Sequence, residues 1–214
     1  MNGEVRVVDH VPQAFAALVA AEAPTSIALS GGDTARRCYE LLAVADVEWG
    51  AVSAYFGDER WVAVDDPDSN EGMARHAFLD QVEPYAIHSM RHAGPTAEDA
   101  ATAYGRLVRA APSIDLVHLG LGPDGHTASL FPGSPALAED HHFVVTNRDD
   151  AHPHQRVTFT FPALATSRLV VFTVAGLEKA EAFARVRAGD QVPAARVHAA
   201  RVIWLVDPAA AGTP

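Results

Sequence analysis

Four apolar runs in this chain stop at a glycine turn, and that recurrence limits the fold more than any other feature. Ser26–Ser30 runs into Gly31-Gly32, Ala51–Phe56 into Gly57, Ile114–Leu119 into Gly120, and Leu169–Val174 into the stretch ending at Gly176. Short, mainly apolar strands without a polar face are buried on both faces, which is the habit of parallel sheets. Helical spacing fills the intervals. Cys38, Leu41, Leu42 and Ala45 recur after the first turn, Tyr104, Leu107 and Val108 share a side of Ala97–Ala110, and Leu177–Val186 continues the pattern. An alanine-rich helix with Pro12 near its start follows an opening or edge strand at Val5–Val8, Gly72–Leu79 is a further helix, and Tyr85–Met90 and Val202–Val206 return to the sheet. The rhythm predicts an α/β fold: a doubly wound, mainly parallel sheet with helices on both faces. Phe143–Thr146 and Val157–Phe161 flank a loop rich in Arg, Asp and His, and predict a small antiparallel lobe.

The 214 residues carry 27 acidic side chains against 16 Lys plus Arg, for a formal charge of -11, and 49% are hydrophobic. Such a chain buries a full core, and its negative field speaks against a broad nucleic-acid surface. A phosphorylated small ligand therefore needs positive charge supplied locally. The one cysteine, Cys38, excludes an internal disulfide and reads as buried filler. No apolar run approaches the ~18 residues of a membrane span, and the N-terminus lacks a leader pattern, so a cytoplasmic protein without a membrane partner is expected.

In a parallel sheet, the turns after the strands share one edge, and there the polar residues converge. Gly31, Gly32, Asp33 and Thr34 lie where a strand meets a helix start, which suits phosphate, with a tight turn capped by Asp33 or Thr34 as the plainer alternative. Asp58, Glu59 and Arg60 follow the next strand; Arg60 offers a planar fork for phosphate, and an acidic neighbour orients it or a sugar hydroxyl. Ser69 or Asn70 either caps a helix or meets sugar hydroxyls. The block from Gly120 to Thr127 spells G-x-x-x-x-G-H-T, one residue from a nucleotide-binding loop, but His126 stands where that loop needs lysine. His126 reads instead as a base, with Asp124 fixing its tautomer and Gly122 and Gly125 turning the chain. Arg156 shares a strand face with Thr158 and Thr160, and Lys179 opens a helix after Gly176. His141, His142, His152 and His154 lack a regular metal-ligand spacing and read as surface or hinge histidines.

The Gly-x-Gly-x-Asp-Gly-His-Thr-Ala-Ser-Leu-Phe-Pro-Gly block, taken with Leu29–Thr34, Gly57–Arg60, Ser69-Asn70, Arg156–Thr158 and Gly176–Lys179, strongly resembles the 6-phosphogluconolactonase family, within the wider sugar-phosphate isomerase and deaminase superfamily. Length and pattern are those of one domain over 1–208 with a short frayed tail over 209–214, which the resemblance makes a catalytic domain. The resemblance implies hydrolysis of 6-phospho-D-glucono-1,5-lactone to 6-phospho-D-gluconate in the pentose phosphate pathway, with no metal or other cofactor. His126 is then the principal catalytic residue, Arg60 and Lys179 engage the substrate phosphate, and the protein is a monomer or small homo-oligomer. Asp33 and Ala35 stand where the family usually has Ser and Pro. Glucosamine-6-phosphate deaminases share the Gly-x-Asp-Gly-His core, but Thr127–Gly133 looks like the lactonase branch. A sugar-phosphate-binding protein without catalysis is the alternative of a different class.

Overall fold

The structure, a computed structural model, describes residues 1–212. Its strands are β1 (Glu4–Val7), β2 (Ser26–Leu29), β3 (Ser53–Phe56), β4 (Asp58–Arg60), β5 (Ala86–Ile87), β6 (Leu116–Gly120), β7 (Val144–Asn147), β8 (Arg156–Phe159), β9 (Leu169–Val174) and β10 (Arg201–Val206). Seven form one sheet in the order β1-β10-β9-β6-β2-β3-β5, with every neighbouring pair parallel. Apolar sequence explains the centre: β9 is buried along its whole length, and Phe172 stacks on Trp204 of β10 with ring centroids 3.7 Å apart.

From β2 the chain builds outward through β3 to β5, then returns through the Ala97–Ala110 helix to place β6 on the other flank of β2. Since such crossovers share one hand, that reversal puts helices on both faces and opens a crevice between β2 and β6. The predicted doubly wound fold is therefore present. Registers Leu29↔Phe56 and Gly120↔Thr173 bring the carboxyl ends of β2, β3, β6 and β9 to a common edge.

The antiparallel lobe is also present, with one strand more than expected. A three-stranded sheet in the order β4-β8-β7 includes Asp58–Arg60, which read as a turn in the sequence. Other boundaries move as well. The helix expected over Gly72–Leu79 starts at Asn70 and widens into a π turn over Arg75–Leu79, while Tyr85–Met90 contributes only two strand residues. The segment expected to fray opens with a helical turn, Pro208–Ala211, capped by Asp207 and with Ala210 and Ala211 buried; residues 213–214 lie outside the described residues. Among the described residues no helix is long and apolar enough to cross a membrane.

Candidate active site

At the β2/β6 crevice lies a cavity of about 210 Å³ walled by Gly31 and Gly32 after β2, Asp58 and Arg60 of β4, Asn70, Gly122 and His126 after β6, and Lys179 after β9. A second cavity of about 110 Å³ shares Gly31, Gly32 and Lys179 and adds Asp33 and Thr34. Asp124, Gly125 and Arg156 are not in either lining and stand behind it. Residues from five separate stretches of chain thus meet at one sheet edge.

The glycine loop is built to hold a histidine. His126 Nδ1 lies 2.6 Å from Asp124 Oδ1, and the His126 backbone N–H donates to the same oxygen at 3.0 Å. Burial pushes the Asp124 carboxyl up, but the bonds from His126 outweigh it and hold the group at about 2. An ionised Asp124 fixes the proton on Nδ1 and leaves Nε2 as the nitrogen that accepts one. Gly122 and Gly125 close the turn by Gly122 N–H to His126 O at 2.9 Å and Gly125 N–H to Gly122 O at 3.0 Å. The loop requires glycine at 122, because a Cβ there would fall 2.1 Å from His126 Nδ1. Ala128, also in the cavity wall, holds φ +47°, a conformation costly for a residue with a side chain. Its neighbours fix it: Thr127 Oγ1 donates to Gly120 O at 2.9 Å, Ser129 Oγ to Asp58 Oδ2 at 2.6 Å, and Ser129 N–H to Thr158 Oγ1 at 3.1 Å.

Positive charge gathers at the same cavity despite the chain's negative net charge. Arg60 donates to the Asp68 carbonyl at 2.6 Å, and Lys179 has no ion pair among the described residues. Arg156 faces Arg60 across the β4/β8 ladder. Its guanidinium is buried, and Nε has no hydrogen-bond partner. Desolvation and the adjacent Arg60 charge pull its pKa down against the opposing pull of Asp58, Glu59 and Asp149. The helix start completes this side. Gly32, at φ +95°, is the N-cap of the Asp33–Leu42 helix, with no side-chain cap, so the first-turn N–H groups stay available to an anion. Neither Asp33 nor Thr34 is the cap that the sequence allowed. Asp33 is the first helical residue, its carboxylate 88% exposed and 3.8 Å from Arg36.

Two buried networks place these groups, and neither was evident from the sequence. Glu59, 1% exposed, accepts from the N–H groups of Arg60, Asn70 and Glu71, each at 2.7 Å, and from Ser69 Oγ at 3.0 Å, strapping the 69–71 turn to β4. Burial raises its pKa, while those donors work against the rise. Glu59 therefore anchors the backbone rather than the Arg60 guanidinium. Ser69 caps the helix through Gly72 N–H at 3.0 Å, which frees Asn70 to donate to Asp58 O at 2.9 Å and leaves its buried Oδ1 without a partner. Under the Gly31-Gly32 turn, Tyr39 Oη takes Ser30 N–H at 2.8 Å and meets His118 Nδ1 at 2.9 Å, while His118 Nε2 meets Thr173 Oγ1 at 2.8 Å. Cys38 is fully buried, as expected, and burial pushes its thiol up to about 12.

The turn after β6 leads to an isolated Thr127↔Leu130 bridge and not to a helix, so the nucleotide-loop likeness of residues 120–127 fails structurally. His141 and His142 pair with Asp140 and Glu139 on the exterior. Among the described residues no group of three or more His, Cys, Asp or Glu is placed to hold a metal ion. His152 departs from the surface reading. Its ring stacks on Phe131 at 4.4 Å and meets His126 edge-on at 5.5 Å. Phe131 lies inside the glycine-loop block, so its aromatic ring was the one available sign that the loop would attract a covering group.

The family model for "Glucosamine-6-phosphate isomerases/6-phosphogluconolactonase" matches residues 4–204. A 6-phosphogluconolactonase of Synechocystis is 43% identical over 197 residues, covering 85% of this chain and 81% of the relative. A 6-phosphogluconolactonase from Thermotoga maritima superposes with a TM-score of 0.86 at 27% identity, covering 96% of this chain and 100% of that one. A monomeric glucosamine-6-phosphate deaminase shares the fold at a TM-score of 0.85 and 20% identity. With a family match across nearly its whole length and a curated relative well above 30% identity, the chain belongs to the glucosamine-6-phosphate isomerase/6-phosphogluconolactonase family.

Proposed function

We propose that this chain hydrolyses 6-phospho-D-glucono-1,5-lactone to 6-phospho-D-gluconate in the cytoplasm, through a single catalytic domain spanning residues 1–208. The observation that carries the reading is the His126–Asp124 pair at 2.6 Å, with His126 in the wall of the same cavity as Arg60 and Lys179. A base and phosphate-binding groups in the wall of one small cavity suit a short substrate that carries both an ester and a phosphate.

A lactone is already an activated ester, so the reaction needs a positioned water, a base and relief for the developing oxyanion. Arg60, Lys179 and the Gly31-Gly32 turn hold the phosphate, and Arg156, buried across the β4/β8 pairing from Arg60, adds positive charge behind them. His126 Nε2 takes a proton from water as its oxygen bonds to C1, giving a tetrahedral oxyanion and an imidazolium stabilised by Asp124. Collapse breaks the bond from C1 to the ring oxygen, and the imidazolium returns its proton to that oxygen. Opening yields the acid, which ionises in solvent, and leaves His126 neutral for the next cycle.

Lactone loss followed in buffer, with spontaneous hydrolysis subtracted, tests this reading. Acceleration of the phosphorylated lactone is expected. Binding without acceleration assigns a sensor, and ammonia release from glucosamine 6-phosphate without lactone hydrolysis assigns the deaminase branch.

A further inference from the structure

We propose that His152 is a positioning residue behind the cavity wall, which holds the ring of His126 by direct ring contact and tunes its basicity through its own charge. The two histidines are built alike. His152 N–H and Nδ1 both meet Asp149 Oδ1, at 2.9 and 2.7 Å, repeating the arrangement of His126 on Asp124. In each pair the carboxylate takes Nδ1 and leaves Nε2 free. Phe131 binds the two together, stacked on His152 at 4.4 Å and edge-on to His126 at 5.1 Å. With Asp124 on one edge and two rings beside it, the His126 imidazole has little room to turn.

His152 is held there by contacts that also position Arg60. His154 Nε2 lies 2.8 Å from Asp68 Oδ2, and the Asp68 carbonyl receives the Arg60 guanidinium. Trp61 N–H donates to Gln155 O at 2.8 Å, and Gln155 Nε2 to Glu98 Oε1 at 2.7 Å. The loop is thus tied at its base to the strand that carries Arg60.

The charged groups facing the pair are Asp149 on the His152 loop, Arg156 of β8, whose charge interacts with Asp149, Asp124 on the glycine loop, and Arg185, which reaches the Asp124 carbonyl at 3.4 Å from the Ala180–Ala188 helix. Each imidazole has one carboxylate, and the rings stand 5.5 Å apart, so protonating one opposes protonating the other.

The test is an NMR titration of the His126 imidazole in the wild-type chain and in His152→Phe and His152→Ala, alongside lactone hydrolysis against pH. In His152→Phe, which keeps a ring on Phe131 but removes the neighbouring charge, protonation of His126 is expected to move to higher pH, with the acid limb of kcat/KM moving the same way. His152→Ala also loses the ring, and kcat is expected to fall about tenfold with KM held within about twofold. A His126 titration identical in the wild type and His152→Phe, or an unaltered kcat in His152→Ala, overturns the proposal. The kinetic arm rests on the lactonase reading and the titration does not, so coupled titration in a chain that fails to hydrolyse the lactone defeats that reading and leaves the ring coupling standing.

Discussion

Arg156 lies directly across the β4/β8 pairing from Arg60, and its buried guanidinium has an Nε with no partner. A buried charge in that condition costs folding free energy that an anion can return. Arg156→Met is therefore expected to match or exceed the wild type in thermal stability when phosphate is absent, and to lose part of the stabilisation that added phosphate gives the wild type. Its KM for phosphorylated lactone is expected to rise about tenfold, the loss of a buried positive charge beside Arg60, with little effect on unphosphorylated lactone. Equal losses on both lactones, for this variant or for Arg60→Ala and Lys179→Ala, contradict the phosphate assignment.

Gly122 has no room for a methyl group, since a Cβ would fall 2.1 Å from His126 Nδ1. Gly122→Ala is expected to fold, because the clash is local to one turn, but to swing the imidazole off Asp124 and lower kcat about 100-fold. Steady-state kinetics beside a circular dichroism spectrum checks this, and near-normal turnover in a folded variant rejects it.

Asp33 occupies a position where the family usually has serine, yet its carboxylate is 88% exposed and turned toward Arg36. Asp33→Ser is expected to change KM by less than about twofold, in keeping with the small worth of an exposed charge pair. A several-fold fall in KM at equal stability places the carboxylate beside phosphate instead.

His118 is enclosed between Phe15, Tyr39 and Thr173, and burial lowers its pKa to about 3. The folded-state value lies below the unfolded value of ~6.5, so the unfolded chain binds the extra proton. Stability from the neutral ring is present above the unfolded value and is lost as pH falls through the window toward the folded value. Urea midpoints are expected to drop between about pH 7 and about pH 5, and less steeply in His118→Gln, which keeps groups for Tyr39 and Thr173 without the titration. Parallel slopes in both proteins contradict the assignment.

The doubly wound sheet was legible because its signals are local: apolar runs, glycine stops and helical spacing lie within a few residues of one another. The His126 loop was legible for the same reason. What escaped was decided by partners distant in sequence. Asp58–Arg60 reads as a charged turn because three polar residues show no strand pattern, and only pairing with Arg156–Thr158 makes them a strand. Glu59 gives no sign of burial until Ser69, Asn70 and Glu71 supply its donors. His152 reads as a surface residue until the His154–Asp68 contact fixes the loop beside Phe131.

The central claim is that His126 Nε2 is the base that activates water at a lactone carbonyl. Its most direct measurement is kcat for 6-phospho-D-glucono-1,5-lactone by the wild-type chain and by His126→Asn, after subtraction of spontaneous hydrolysis, with binding of 6-phospho-D-gluconate measured on both. The account predicts clear acceleration by the wild type and a kcat lower by about 10²–10⁴-fold in the variant, with product affinity retained. A wild-type rate no faster than background, or a variant that turns over at nearly the wild-type rate, contradicts it.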